Sequence, residues 1–500
     1  MEAAHATGRS ERITVLLLCL LGAAHVLIFS AAFPFFSVVD EQVHFDLVVR
    51  YSHGDMPRSL TPPDAEALPF MVIYGTPEYL SAPAAQPDGR IPPPPWKLRM
   101  EMVRDKLAAK EVAYQGVFKN HEAASPPLYY WLAGEWWRLG KALKLDGAEL
   151  LYWLRFLNVP LAAVLVWLGW LAARYIFPEN IFIRLAVPMF IVFLPQTAFY
   201  AINNDVLTPV TFGAAFLLLL KFFDAERLSP GLAVATGLAL AAAFLTKMSN
   251  LPLLAAVGVF LALKIVGLAW HGKLRTAVVP LLILVVTAGL PMAAWMAWCQ
   301  ANFGDLTGAG PKIQFLGWTH KPAGEWLHHP IFSTDGFWYF LKRNLATFWQ
   351  GEMLWRRQPL ANAEVDSAYV VLTLGALAFT VAALLARPPA FSTPQRSALW
   401  LAFLCFTGSF AFFALLSVKY DFQDCFYPSR EHPFFVSGRL MLGMLVPFLV
   451  LFACGLDRLL KPFQYSTKFF LLCGLLGFML ASEITIDWPV FSNEYNWFHL

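Results

Sequence analysis

Eleven apolar runs separated by short polar stretches follow one another along the chain. They cover residues 13–36, 150–173, 184–202, 206–223, 231–246, 250–269, 276–300, 367–386, 397–418, 434–456 and 469–484. Because a helix rises ~1.5 Å per residue, about 20 mainly apolar residues cross a hydrocarbon core ~30 Å thick. The pattern therefore predicts an all-α polytopic membrane protein with about eleven transmembrane helices.

One further stretch, residues 126–143, is aromatic and apolar but carries Glu135, Arg138 and Lys141. Whether it spans decides the side on which every later loop lies, and short cytoplasmic loops are enriched in Lys and Arg. If 126–143 stays on the surface, fourteen Lys and Arg residues of short loops and helix ends fall in the cytoplasm and four outside. If it spans, nearly all change sides. The sequence predicts an interfacial helix at 126–143, a cytoplasmic amino terminus and an outer carboxyl terminus.

This layout divides the chain into five regions of a multi-pass plasma-membrane protein. They are a cytoplasmic tail with the first span (1–36), an extracytoplasmic loop with interfacial helices (37–149), a transmembrane core (150–300), an aromatic-rich outer loop (301–366) and carboxyl-terminal transmembrane helices with a tail (367–500). The first apolar run is longer than the roughly 7–15 residues of a signal-peptide core, which favours an uncleaved anchor. A leader cleaved near Ser30 is the alternative.

The two outer regions differ in composition. The first has a helix-like stretch at 40–52, eleven prolines within 57–95 and a charged helix predicted at 97–112. The proline-rich part reads either as a flexible linker or, given its scattered aromatic residues, as a coil that packs on the protein. The second region gathers five tryptophans around Lys and Arg residues. It reads either as an interfacial belt or as aromatic platforms for a sugar or a lipid.

Composition excludes several classes of protein. The chain is 58% hydrophobic and only 14% charged, against roughly 25% charged residues in soluble domains. A formal charge of +3 gives no broad basic surface, so nucleic acid is excluded as a partner. The six cysteines show no spacing typical of zinc sites or disulfide frameworks, and only Cys425 lies in a polar loop.

The first candidate for chemistry lies directly after the first span. Asp40 and Glu41 are adjacent carboxylates at a membrane boundary, a costly arrangement that indicates solvent exposure or use. On a helix that begins here, both fall in the first turn and His44 lies on the same face as Asp40. The alternative is an ordinary helix start followed by a surface histidine.

Four later motifs also carry polar groups to membrane boundaries. They are Ser125-Pro126-Pro127 before the interfacial helix, Asn203–Asp205 in a tight connection, Lys247 at the outer end of a span, and Arg439 a turn inside an apolar span. A proline-started helix, a hairpin turn and a snorkelling lysine are the ordinary alternatives for the first three. A buried guanidinium needs an anion, and it matches phosphate oxygens bidentately.

The layout brings these acids and cations to one outer face. Such a set suits transfer from a phosphate-bearing lipid, since cations can hold the phosphate leaving group while a carboxylate deprotonates an incoming hydroxyl. No glycine-rich phosphate loop is visible, as expected for a lipid-linked rather than a nucleotide donor.

In this order the motifs resemble the GT-C superfamily of polyprenyl-phosphate-dependent glycosyltransferases. Asp40-Glu41 followed by His44 is similar to the Asp-Glu-x-x-His pattern of protein O-mannosyltransferases and aminoarabinose transferase-like bacterial enzymes. Pro126-Pro127-Leu128 is similar to their His-Pro-Pro-Leu, with Ser125 in place of the histidine, and His121 lies well upstream. The resemblance covers about the first 270 residues and, as one carboxyl-terminal motif, Gly438-Arg439.

The resemblance implies a GT-C-like bundle that transfers a sugar, with inversion, from a polyprenyl-phosphate donor to an acceptor hydroxyl on the extracytoplasmic face. Asp40 would be the general base, and Glu41 would orient the acceptor or the base. Lys247 and Arg439 would hold the donor phosphate, while His44 and Asp205 would shape the site or bind a divalent cation. The acceptor would be a lipid, a polysaccharide or a protein of the cell envelope.

Two other readings stay open. A transporter or flippase of lipid-linked sugars would need polar residues near mid-membrane and broken helices in matching halves. A noncatalytic assembly partner in cell-envelope synthesis is the third reading.

Overall fold

The computed structural model describes residues 2–75, 94, 97–99, 101–102, 104, 119–355, 358–425 and 427–499. Its elements are mostly helices. The α-helices are α1 (Glu2–Ala32), α2 (Glu41–Ser52), α3 (Ala67–Tyr74), α4 (Leu128–Ala142), α5 (Gly147–Arg155), α6 (Asn158–Ile176), α7 (Ile181–Val192), α8 (Thr208–Asp224), α9 (Pro230–Thr246), α10 (Leu251–Trp270), α11 (Leu274–Phe303), α12 (Ala309–Phe315), α13 (Thr334–Gln350), α14 (Ala363–Leu385), α15 (Thr393–Lys419), α16 (Leu445–Leu459) and α17 (Tyr465–Phe491).

Short 3-10 helices and two small ribbons complete the described part. The 3-10 helices are Thr197–Tyr200, Met248–Asn250, Ala323–His328, Pro330–Phe332, Gly438–Met444 and Trp497–His499. Strands β1 (Thr319–His320) and β4 (Tyr420–Asp421) pair antiparallel, as do β2 (Leu354–Trp355) and β3 (Gln358–Pro359). All four strands are two residues long, so the predicted all-α class is confirmed.

Eight helical segments of the described residues are long and apolar enough to cross a membrane. All eleven predicted runs contain a helix, but α7, α8, α9 and α16 are shorter than 18 residues, and α16 reaches spanning length only together with the 3-10 helix Gly438–Met444 before it. The sequence predicted one span over residues 184–202, but the structure divides this run. Helix α7 ends at Val192, because Pro195 has no backbone N–H and disfavours helical backbone before it. A 3-10 turn follows, and it leads to Asn203–Asp205.

The transmembrane core is built around α16. Every residue from Leu445 to Asp457 is buried, and this helix packs on α7, α8, α14 and α15. Gly455 makes the contact with α14 possible, since a Cβ there would lie 1.8 Å from the Ala376 carbonyl oxygen. Helices α10 and α11 instead expose large apolar side chains, which is expected of surfaces that face lipid.

A second, smaller core holds the start of the long loop that follows α1. Helix α2 confirms the predicted helix at 40–52, and it packs on α4, the helix predicted at 126–143. Phe70 of α3 packs on Phe45 and Trp137, which favours packing over a free linker for this part. Most of the helix predicted at 97–112 lies outside the described residues.

Candidate active site

Arg439 is the centre of the candidate site. Its Nη2 donates to Asp40 Oδ2 over 2.8 Å, and its Nη1 donates to Asp205 Oδ2 over 3.0 Å. Its Nε lies 3.5 Å from Glu352 Oε2. Three carboxylates from three separate segments thus surround one buried guanidinium, whose side chain is only 7% exposed.

Arg439 reaches this position because of the glycine before it. Gly438 begins the 3-10 helix, and a Cβ there would lie 2.2 Å from the Phe348 backbone nitrogen. Its N–H donates to Thr347 Oγ1 over 2.7 Å, so the start of the 3-10 helix lies directly against α13. The Gly-Arg pair is therefore explained by close packing followed by an inward-facing cation.

Asp40 sits at the amino-terminal end of α2 in a left-handed backbone conformation with φ 65°. Aspartate is among the few residues other than glycine that adopt this region readily. Just before it, Val38 forms an antiparallel bridge with Met353, which brings Glu352 beside Asp40. The Asp40 side chain keeps 28% exposure, so solvent and substrate can reach it.

Asp205 and Lys247 form the second part of the site. The Lys247 ammonium donates to Asp205, whose other carboxylate oxygen accepts from Arg439. The turn that carries Asp205 is fixed by Asn203, which donates to the Ala198 carbonyl and accepts from the Asp205 N–H. Asp205 is thus fully buried between two cations.

A third group comes from the turn before α4 and from α12. His121 Nε2 lies 3.5 Å from Asp40 Oδ1 and 3.9 Å from Glu122 Oε1. Glu122 also accepts from the Lys312 ammonium and from the Ser125 hydroxyl. The serine that replaces the histidine of the resembled motif therefore contacts Glu122, while His121 supplies an imidazole to the site.

Glu41 does not face the site. Its carboxylate receives two hydrogen bonds from Arg155 Nη2, at 2.7 and 2.9 Å, and both side chains are fully buried. It also accepts from the backbone N–H groups of Phe36 and Ile202. These contacts join the first outer loop to α5 and to the turn before Asp205.

His44 lies behind the site. Its Nδ1 is 2.8 Å from the Tyr130 hydroxyl, and its side chain is buried. Burial lowers the pKa of His44 to about 4, although Glu122 and Asp40 oppose the shift. A neutral imidazole at this position supports the packing of α2 on α4.

The carboxylates at the entrance stay ionised. Burial alone would raise the pKa of Asp40, but the His121 hydrogen bond and the Arg439 charge hold it well below its ordinary value. Burial likewise opposes ionisation of Glu122, but Lys312 and the two nearby histidines together outweigh it, so the pKa of Glu122 is lowered. Glu352 is different: burial raises its pKa despite the nearby Arg439.

The lysine pKa values differ in direction. Burial lowers the pKa of Lys247, and the Asp205 charge only partly offsets this. Burial also opposes the charge on Lys312, but Glu122 and Asp40 together raise its pKa. The site as a whole has four carboxyl groups (Asp40, Glu122, Asp205, Glu352) and three basic side chains (Lys247, Lys312, Arg439).

A divalent cation has one plausible set of ligands among the described residues. One ligand atom each from Asp40, His121 and Glu122 lies within 4.8 Å of the others. Two carboxylates and an imidazole suit several divalent ions. These carboxylates already contact Arg439 and Lys312, so an ion would compete with both. The expected ligands His44 and Asp205 lie apart from this set.

The structure thus brings together four of the predicted site residues: Asp40, Asp205, Lys247 and Arg439. Glu41 and His44 lie outside it. Sequence reasoning missed Glu122, Lys312 and Glu352, and it set His121 aside as too far upstream. The one signal available was the adjacent His121-Glu122 pair just before Ser125-Pro126-Pro127.

A family model described as "Predicted membrane protein (DUF2142)" matches residues 20–322, more than half of the chain. No curated protein matches. Among solved structures, the chain is similar to the archaeal oligosaccharyltransferase AglB from Archaeoglobus fulgidus, solved with an inhibitory peptide and a dolichol-phosphate. The identity is 11%, the TM-score is 0.45, and the match covers 97% of this chain but only 56% of that one.

Proposed function

The chain belongs to the DUF2142 family of predicted membrane proteins, and we propose that it is a membrane glycosyltransferase. It would move a sugar from a polyprenyl-phosphate donor to an acceptor hydroxyl on the extracytoplasmic face of the plasma membrane, with inversion. The observation that carries the proposal is the contact of Arg439 with both Asp40 and Asp205, in a cluster that reaches solvent through Asp40. It joins a candidate base to a set of candidate phosphate ligands.

In the proposed reaction, the acceptor oxygen forms a bond to the anomeric carbon of the sugar. The bond from that carbon to the phosphate oxygen breaks, and its electron pair leaves with the polyprenyl phosphate. The acceptor proton passes to the Asp40 carboxylate, which the low pKa keeps ionised. Lys247 and Arg439 stabilise the charge that develops on the leaving phosphate.

The contact between Arg439 and Asp40 also implies that the donor binds before Asp40 acts as a base. While the guanidinium holds Asp40, the pKa of that carboxyl is low and the carboxylate is a weak base. A donor phosphate that draws Arg439 toward itself would weaken this hold and raise the pKa of Asp40. The base would therefore become effective only once the donor is bound.

Two expected roles change in this proposal. We assign Glu41 to the support of the outer loop, because its carboxylate is occupied by Arg155 and two backbone N–H groups. Asp40, His121 and Glu122 are the residues that would hold a divalent cation, which would supply positive charge at the leaving phosphate.

The test is Asp40→Asn in the full-length protein, reconstituted in vesicles with polyprenyl-phosphate sugars. Transfer should fall by at least about 100-fold, because removal of a general base typically costs 10²–10⁴-fold. Asp55→Asn is the matched control, since Asp55 is exposed and pairs with Arg50 at the other end of α2. Full transfer by Asp40→Asn would refute the assignment.

One observation favours the transporter alternative. His25, Tyr200 and Glu483 form a buried polar cluster between transmembrane helices, beside the broken end of α7. Buried ionisable groups and interrupted helices are features of carriers. Movement of a lipid-linked sugar across purified vesicles, with no glycosidic bond broken, would replace the transferase proposal with this one.

A further inference from the structure

Helix α12 is attached to the candidate site by few contacts. It has seven residues, none of them buried. The Lys312 ammonium donates to Glu122, and the Phe315 ring stacks on the His121 ring with centroids 6.3 Å apart and planes at 12°. Both contacts reach the short turn that carries two residues of the site.

Glycines in left-handed backbone conformation lie on both sides of α12. Gly304 has φ 83° and Gly317 has φ 72°, and no described atom lies within 4 Å of a Cβ built on either one. Between them, Asp305 accepts from the N–H groups of Thr307 and Gly310, both over 2.8 Å. The segment that carries the helix therefore lies between two unpacked glycines, while Gly308 at the start of α12 packs on Ala124, beside the turn that carries His121 and Glu122.

Lys312 is the most exposed of the three basic side chains of the site. The Lys312 side chain is 34% exposed, against 13% for Lys247 and 7% for Arg439, so its ammonium has the most room to reach a new partner. The other two cations of the site are held more tightly, because Lys247 and Arg439 are more deeply buried and share Asp205. Lys312 is thus the site cation that is most free to change partner.

Charge balance gives Lys312 a reason to change partner. The site already has one carboxyl group more than it has lysine and arginine side chains, and a donor phosphate adds further negative charge. Two cations that stay bound to Asp205 neutralise this only in part. Movement of Lys312 from Glu122 to the phosphate leaves the total charge of the site unchanged, but it puts a third cation on the new anion, and Lys312 is the most exposed of the three.

We propose that Lys312 is a third contact to the donor phosphate and that α12 is the latch that carries it. When a polyprenyl phosphate enters, the ammonium leaves Glu122 for a phosphate oxygen, and α12 moves with it about Gly304 and Gly317. Glu122 is then free of its lysine and lies beside His121 and Asp40. This inference rests on the proposed function, because it assumes a lipid-phosphate donor.

The first experiment measures binding of a sugar-free polyprenyl monophosphate to the full-length protein in nanodiscs. Lys312→Gln should weaken binding about tenfold, and Lys312→Arg should restore most of it. Lys321→Gln is the control. Lys321 lies in the same loop but makes no ion pair with the described site residues. The affinity of this variant should stay within twofold of wild type. Equal affinity of Lys312→Gln and wild type would overturn the latch.

The second experiment follows the movement of α12. Gln314→Cys, on a background in which the accessible Cys425 and Cys473 are replaced by serine, is labelled with a membrane-impermeant maleimide. Polyprenyl phosphate should change the labelling rate at least threefold, and Lys312→Gln should abolish the change. An unchanged rate in the parent, or the same change in Lys312→Gln, would overturn the proposal.

Neither experiment measures sugar transfer. The failure of the proposed function and the failure of the latch therefore give different results. A wild-type protein that binds no polyprenyl phosphate would remove the proposed function and the latch together. A wild-type protein that binds the lipid phosphate no better than Lys312→Gln does would remove the latch alone.

Discussion

Arg439 and Asp40 lie 399 residues apart in the chain and are joined by a 2.8 Å hydrogen bond between Nη2 and Oδ2. The arginine comes from the start of the 3-10 helix before α16, and the aspartate from the end of the loop after α1. This contact makes the first outer loop and a late transmembrane segment parts of one site.

Replacement of Arg439 by glutamine should destabilise the protein by about 3–5 kcal/mol, the usual cost of removing one partner from a buried charge network. Asp40, Asp205 and Glu352 would then face one another without the guanidinium. Thermal unfolding in detergent measures the loss. Arg343→Gln should cost below about 1 kcal/mol, because Arg343 is 35% exposed and 3.8 Å from Asp366.

Addition of Asp205→Asn to the Arg439→Gln protein should recover part of the lost stability, since it removes one of the unbalanced charges. A melting temperature of Arg439→Gln equal to that of wild type would contradict the network.

Glu41→Gln should separate stability from chemistry. The change leaves the buried Arg155 without its carboxylate and should cost about 3–5 kcal/mol. Transfer per folded molecule should change by no more than about threefold, because Glu41 contacts none of the site cations in the described residues. The measurements are melting temperature and transfer at equal amounts of folded protein. A stable but inactive Glu41→Gln would instead support the orienting role that the motif resemblance implies.

Much of the fold was predictable because hydropathy alone marks the crossings. Every predicted run contains a helix, and Asp40, Asp205, Lys247 and Arg439 lie together as the layout predicted, while the sidedness drawn from Lys and Arg counts stays a prediction. The break after α7 was not predicted, because the apolar run continues through Pro195 and hides a local backbone effect.

The sequence could not predict that two adjacent side chains point in different directions. Asp40 and Glu41 are neighbours, yet the left-handed backbone at Asp40 precedes a helix whose first residue points to Arg155. The contribution of Lys312 depends on α12 folding back onto the turn at His121, which no periodic pattern encodes.

Stability should fall between pH 6.5 and pH 4 because of His44. Its folded-state pKa is about 4, so between these values the unfolded chain binds a proton that the folded protein does not. Folding stability is then complete above about pH 6.5, and it is lost as pH falls toward 4, by up to about 3 kcal/mol. Melting temperatures across this range measure the effect. His44→Gln should flatten the profile there, and a profile as steep as that of wild type would show that another group is responsible.

We expect Glu483 to stabilise the protein through its hydrogen bonds to His25 and Tyr200. The Val192 carbonyl can only accept, so His25 Nδ1 donates to it over 2.6 Å and His25 Nε2 faces Glu483 at 2.9 Å. The other Glu483 oxygen accepts from the Tyr200 hydroxyl. One proton is therefore shared between His25 and Glu483, and the pair holds the broken end of α7 and the turn that leads to Asp205.

A glutamine at position 483 can accept from Tyr200 and donate to His25, so Glu483→Gln should melt within a few degrees of wild type and keep its transfer activity. Glu483→Leu leaves both partners unsatisfied, at about 1–3 kcal/mol each. It should lower the melting temperature and reduce transfer further, because the Asp205 turn loosens. Thr485→Val is the control, since Thr485 lies exposed on the same helix and bonds only the Ala481 carbonyl. Equal loss in Glu483→Gln and Glu483→Leu would show that the charge itself is needed, which favours a proton-coupled carrier over a brace for the transferase site.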